Sequence, residues 1–198
     1  MKFINTFFFK QLAIWSLIFN KRETAIEYWE KIRTIRPNDP MIPASIAHLK
    51  AELGLKHEAL ALLHQSAELK NDQPLVWYNI GYLHQEFDRH EQAAVAFDKA
   101  IALNEKSDLA YYGKALAFIK LGRIEEAIPL LKRNTELQPM SPYGWYQLAH
   151  VYNRLGQPEK VRKTIRKVGK FEPKVALQIQ TETGIDAGVV LPFDGYSK

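Results

Sequence analysis

Between Pro74 and Ser107 the chain reads PLVWYNIGYLHQEFDRHEQAAVAFDKAIALNEKS, and its apolar residues fall at helical spacing in two runs. Trp77, Ile80 and Gly81 mark the first run, and Ala93, Phe97 and Ala100 mark the second. The pattern predicts two antiparallel helices joined by a short turn. It returns every 34 residues without insertion, forward at Asp108 and Pro142, backward at Pro40 and Thr6. In each unit of 34, the eighth position is small: Ala13, Ala47, Gly81, Ala115 and Ala149. The twentieth is Ala25, Ala59, Ala93, Ala127 and Val161, and the twenty-fourth is Trp29, Leu63, Phe97, Leu131 and Ile165.

These choices have physical reasons. Small residues at positions 8 and 20 let two helices approach closely, and large apolar groups at positions 4 and 24 fill the space toward the next hairpin. Position 15 reads Asn20, Gly54, Asp88, Gly122 and Gly156, the residue types that best tolerate the left-handed conformation that ends a helix. Proline at position 32 (Pro37, Pro139, Pro173) stops the second helix because it has no amide donor. Pro129, inside a second helix, is expected to bend it or shift its start.

The spacing W-x2-I-G with A-x3-F that follows resembles the signature of the tetratricopeptide repeat. The resemblance implies an all-α fold: a right-handed superhelical solenoid of about five antiparallel helix–turn–helix repeats plus a C-terminal capping helix. The repeats fall at 6–39, 40–73, 74–107, 108–141 and 142–175, so the array covers 6–175. Residues 176–198 are read as the capping helix and a flexible tail. The first repeat is the poorest match and is read as a cap.

In that family the first helix of each repeat lines a concave groove through positions 2, 5, 9 and 12. Carried over residue by residue, with Asn79 beside them, the groove comprises His48, Leu75, Tyr78, Asn79, Tyr82, Gln85, Tyr112, Tyr143, Tyr146, His150 and Asn153. Five of these are tyrosines, which combine a large ring with a hydroxyl at low entropic cost. The resemblance therefore implies a non-catalytic scaffold or adaptor that takes a peptide or partner segment in a tyrosine-rich groove. The alternative reading is that some of the tyrosines pack between repeats. The clamp by which some relatives grip a C-terminal carboxylate is not reproduced. Only Asn79 fits it, with Ala44 and His48 before and Leu109 and Gly113 after.

Charge is uneven. Residues 142–175 hold eight Lys or Arg against two Glu, which is +6 of a chain total of +5 and leaves the remainder at −1. The second helix of the last repeat is a basic patch of Lys160, Arg162, Lys163, Arg166, Lys167 and Lys170. A solvated face explains it most simply; an acidic protein partner comes next, and nucleic acid is disfavoured because no aromatic residue is interleaved.

Residues 3–19 read FINTFFFKQLAIWSLIF. A membrane-spanning helix needs about 20 apolar residues, and Lys10 with Gln11 interrupts this run. It is read as the first helix of the array, with excess apolar surface that suits a homodimer or a docked partner in preference to a membrane. A membrane-associated assembly factor, tethered or dimerised through this helix, is the alternative function. The expected location is cytoplasmic, with peripheral membrane association as the variant of that alternative. There is no cysteine, no phosphate-binding glycine loop and no nucleophile elbow, and the six histidines show no H-x-x-x-H spacing. Neither a catalytic set, nor a metal site, nor a cofactor is expected.

Overall fold

The computed structural model describes residues 2–190, with side chains from Asn5 onward. Among the described residues all regular structure is helical. The fold is an all-α helical repeat. It divides into two compact units, Met1–Asn104 and Glu105–Lys198.

The first unit contains α1 (Lys2–Ile18), α2 (Arg22–Ile35), α3 (Met41–Glu52), α4 (Lys56–Leu69), α5 (Pro74–Glu86) and α6 (His90–Leu103). Each odd helix pairs with the even helix that follows it. The close approach rests on the small residues: Ala13, Ala25, Ala47, Ala59, Gly81 and Ala93 are all buried. A Cβ on Gly81 would stand 2.7 Å from the ring of Phe97, so the α5–α6 contact has no space for a methyl group. Asn20, Gly54 and Asp88 have φ of 57°, 79° and 54°. The amides that follow them, on Lys21, Leu55 and Arg89, donate to the carbonyls of Ser16, Lys50 and His84 at 2.8–2.9 Å. This left-handed closure returns the chain for the second helix. Two ion pairs join successive repeats, Arg22 with Glu52 at 2.7 Å and Lys56 with Glu86.

The second unit contains α7 (Asp108–Lys120), α8 (Ile124–Leu137), α9 (Pro142–Arg154), α10 (Pro158–Val168) and α11 (Pro173–Thr183). Ala115, Ala127, Ala149 and Val161 repeat the buried small contacts, and Gly122 and Gly156 repeat the turn, with φ of 75° and 64°. Pro129 does not shift the start of α8, which begins at Ile124, the same repeat position as Lys56 and His90. Proline removes one amide donor in the first half of α8 and leaves the helix continuous to Leu137. Lys114 on α7 holds its ammonium 5.1 Å from the ring centre of Phe118, one turn further along the same helix. Helix α11 begins at Pro173, ahead of residue 176, and packs on both α9 and α10. Beyond it, residues 185–190 have no regular structure and lie against α10 and α11. The rest of the tail, 191–198, falls outside the described residues.

A buried polar residue recurs at position 27. Ser66 Oγ donates to the Pro40 carbonyl at 2.7 Å, and Asn134 Nδ2 donates to the Asp108 carbonyl at 3.0 Å. Each fixes the start of a first helix onto the end of its own second helix. A related contact involves position 4, where Trp77 Nε1 donates to the Asn71 carbonyl at 2.7 Å and Trp145 Nε1 to the Pro139 carbonyl at 3.1 Å.

Candidate functional site

The groove residues expected from the repeat register divide between the two units. In the first, His48 is exposed on α3, and Leu75, Tyr78, Asn79, Tyr82 and Gln85 stand on α5. The opposite side of α5 is buried through Val76, Ile80 and Leu83. This division follows from helical geometry: residues at 75, 78, 82 and 85 share one face, and 76, 80 and 83 share another. Leu75 is 67% exposed and Tyr82 47%. Tyr78 is half-buried, its ring 5.8 Å from that of Phe97, so it belongs partly to the packing of its own hairpin. His48 Nε2 lies 3.6 Å from Glu52, the carboxylate that also receives Arg22.

In the second unit, Tyr112 is on α7, and Tyr143, Tyr146, His150 and Asn153 are on α9. Tyr143 is 69% exposed. Tyr112 is half-buried, and that burial raises its phenol above the ordinary range despite a hydrogen bond with Gln147. Tyr146 and His150 are engaged within the unit. The Tyr146 hydroxyl donates to the Glu182 carboxylate of α11 at 2.7 Å, and His150 Nε2 lies 2.9 Å from the same oxygen. Gln178 donates to the other Glu182 oxygen at 2.8 Å. The hydrogen bond from Tyr146, followed by those from Gln178 and His150, holds the Glu182 carboxyl below the usual carboxylate range. Helix α11 thus places an acid on the tyrosine and histidine of α9. Sequence reasoning missed this contact, and only the polar character of Gln178 and Glu182 hinted at it.

The basic patch on α10 is of two kinds. Arg162 Nε donates to the Asp186 carbonyl at 3.0 Å and Arg166 Nε to the Ala187 carbonyl at 3.4 Å, so the arginines hold residues 185–190. Gln180 accepts from the amide of Ala187 at 2.9 Å on the other side. Lys163 and Lys167, with Lys160, face a cavity of about 440 Å³ whose floor includes Trp145, Leu148 and Tyr152. Lys170 lies with Arg162 and Arg166 along a second cavity of about 510 Å³, which Lys163 and Lys167 also line. Among the described residues no cluster of His, Cys, Asp or Glu could hold a metal ion.

The comparisons with known proteins identify the kind of repeat. Two family models, both described as tetratricopeptide repeat, match residues 78–142 and 142–174. Among curated proteins no sequence matches the chain significantly. Among solved structures, a MamA protein is similar at a TM-score of 0.77 and 19% identity, covering 95% of this chain and 98% of its own. MamA from Desulfovibrio magneticus RS-1, from residue 41 to its end, gives 0.79 and 18%, over 85% and 95%. YrrB, described as a TPR protein with an unusual peptide-binding site, gives 0.75 and 16%, over 87% and 90%. At such identities the structures speak for the fold, and the family models speak for the repeat itself. The chain is a member of the tetratricopeptide repeat family.

Proposed function

We propose that this chain is a non-catalytic scaffold that holds a peptide segment of a partner protein on the exposed face of its first-position helices. One observation carries the reading. On α5 a leucine and a tyrosine stand in solvent at positions 75 and 82, with Asn79 and Gln85 beside them, while the buried side of the same helix satisfies the hairpin. Leaving Leu75 in solvent gains nothing within the fold, whereas burying it against a ligand removes apolar area from water at roughly 25 cal/mol per Å². In the second unit Leu109 and Tyr143 repeat that exposure on α7 and α9. The side-chain amide of Asn79 can satisfy a backbone group of an extended peptide. The family is one of protein-interaction scaffolds, and the similar YrrB, described as having a peptide-binding site, supports the same reading.

The test starts from peptides selected by display on the intact chain. Their affinity is then measured for Leu75→Ser combined with Tyr82→Ala, and for Tyr143→Ala. Leu75 and Tyr82 are chosen over Tyr78 and Tyr146, which have roles inside the fold. Loss of about thirtyfold or more in affinity, the size of an interface hot spot, is expected from at least the α5 pair. Unchanged affinity in both variants would sink the assignment.

A further inference from the structure

Helix α1 is apolar on its outer side as well as on its packed side. The side packed on α2 carries Thr6, Phe9, Ala13 and Ser16, and the hydroxyl of Ser16 is returned to the Leu12 carbonyl at 2.8 Å. The outer side carries Phe7, Phe8, Trp15, Ile18 and Phe19, each more than half exposed, with Ile14 and Leu17 beside them. Helical spacing gathers these into one continuous face, with Lys10 near one edge between Leu17 and Ile14, and Gln11 within it. Each aromatic ring can bury about 150–250 Å², so the face is larger than the apolar patches of a few hundred Å² that ordinary surfaces tolerate.

The geometry points to the surface of an anionic lipid bilayer as the occupant, with α1 lying in the interface plane. Three observations choose this occupant. The first 22 residues hold Lys2, Lys10, Lys21 and Arg22 and no acidic residue, which complements negative headgroups. The helix has 17 residues, about 26 Å at 1.5 Å per residue, so it is short of a bilayer core, and among the described residues no helix is long and apolar enough to cross a membrane. A helix with Trp and Phe on one face and lysine at its edge suits the headgroup boundary, where the lysine stem lies along apolar chains and its charge stays in water. A second copy fits less well. An isologous pair crossing at the middle of α1 sets Lys10 against its own counterpart, in a segment without a carboxylate to offset it.

Flotation of the full chain with phosphatidylcholine vesicles, with and without phosphatidylglycerol, tests this. The chain is expected to float with the anionic vesicles and to be released as salt rises. Phe8→Ser, Trp15→Ser and Phe19→Ser together are expected to lower the bound fraction by about tenfold or more. All three residues are exposed, so helicity by circular dichroism should be retained. Lys10→Glu keeps the apolar face and is expected to weaken binding to anionic vesicles alone. Tyr82→Ala on α5 should leave flotation unchanged. Failure to float at low salt overturns the inference, as does equal binding by the triple variant. A dimer in sedimentation that the triple variant abolishes, with no vesicle binding by either form, assigns the face to a second copy instead.

Discussion

Replacing Gly81 by alanine puts a methyl carbon 2.7, 2.8 and 3.0 Å from three ring atoms of Phe97. Ordinary carbon contacts begin at about 3.5 Å, so something must move. Phe97 is completely buried, with the ring of Tyr78 packed at 5.8 Å, so the ring can yield only by moving its neighbours. Overpacking of this kind costs about 1–3 kcal/mol. Against it stands the gain of an alanine over a glycine inside a helix, about 0.5–1 kcal/mol. The repulsion is the larger effect at the middle of each range, and Gly81→Ala should destabilise the first unit by about 1 kcal/mol. Urea denaturation followed by circular dichroism reads the total, and hydrogen exchange in α5 and α6 locates it, which matters because a repeat array need not unfold in one step. Adding Phe97→Leu shrinks the obstructing ring, so the double variant should be more stable than the sum of the two single costs. A Gly81→Ala protein as stable as wild type, or more so, would refute the argument that helix contact distance dictates the small residue at position 8.

Other outcomes follow from single contacts. Ser66→Ala and Asn134→Ala each strip a partner from a first-helix carbonyl, and each should cost about 1–2 kcal/mol in thermal or urea unfolding; no cost at either site would remove position 27 as a structural device. Burial, and then the charges of His64 and Arg89, pull the His84 imidazole below its ordinary range, and its Nδ1 is buried without a hydrogen-bond partner among the described residues. The unfolded chain therefore takes up this proton at higher pH than the folded one, so stability should fall as pH drops below about 6.5 toward the folded value. His84→Gln should flatten that slope, and an unaltered pH profile would contradict the assignment. Glu182 is the opposite ionic type: its folded carboxyl is held low, so its contribution is present above the usual carboxylate range and is lost as pH falls through the folded value. Glu182→Gln should speed amide exchange in α11 at neutral pH and leave little further effect of acid, whereas unchanged exchange would show that the contact does not hold the helix.

The parts of the fold that the sequence revealed are those governed by local or periodic rules. A left-handed residue at position 15 and a small residue at positions 8 and 20 are needed in every repeat, so five occurrences reinforce one another. The capping contacts had no such reinforcement. Glu182 reaches Tyr146 across 36 residues, and nothing in the spacing of α11 says that its acid faces α9 rather than water. The arginines of α10 looked like their lysine neighbours in a charge count, yet Arg162 and Arg166 bind the backbone carbonyls of Asp186 and Ala187. A carbonyl acceptor is present at every residue and leaves no signature in sequence. The groove residues were placed by register alone. That register found exposed Leu75, Tyr82 and Tyr143, but it could not separate them from Tyr78, Tyr112 and Tyr146, whose second roles depend on partners in other helices.

Hydrogen exchange with and without a display-selected peptide tests the central claim most directly, because it reports where a ligand rests without altering the chain. Slowed exchange is expected first in α5, which carries Leu75 and Tyr82, with α4 and α6 unchanged. Protection confined to the second helices, or to α10 and its lysines, would contradict the claim that the exposed face of the first helices is where this protein holds its partner.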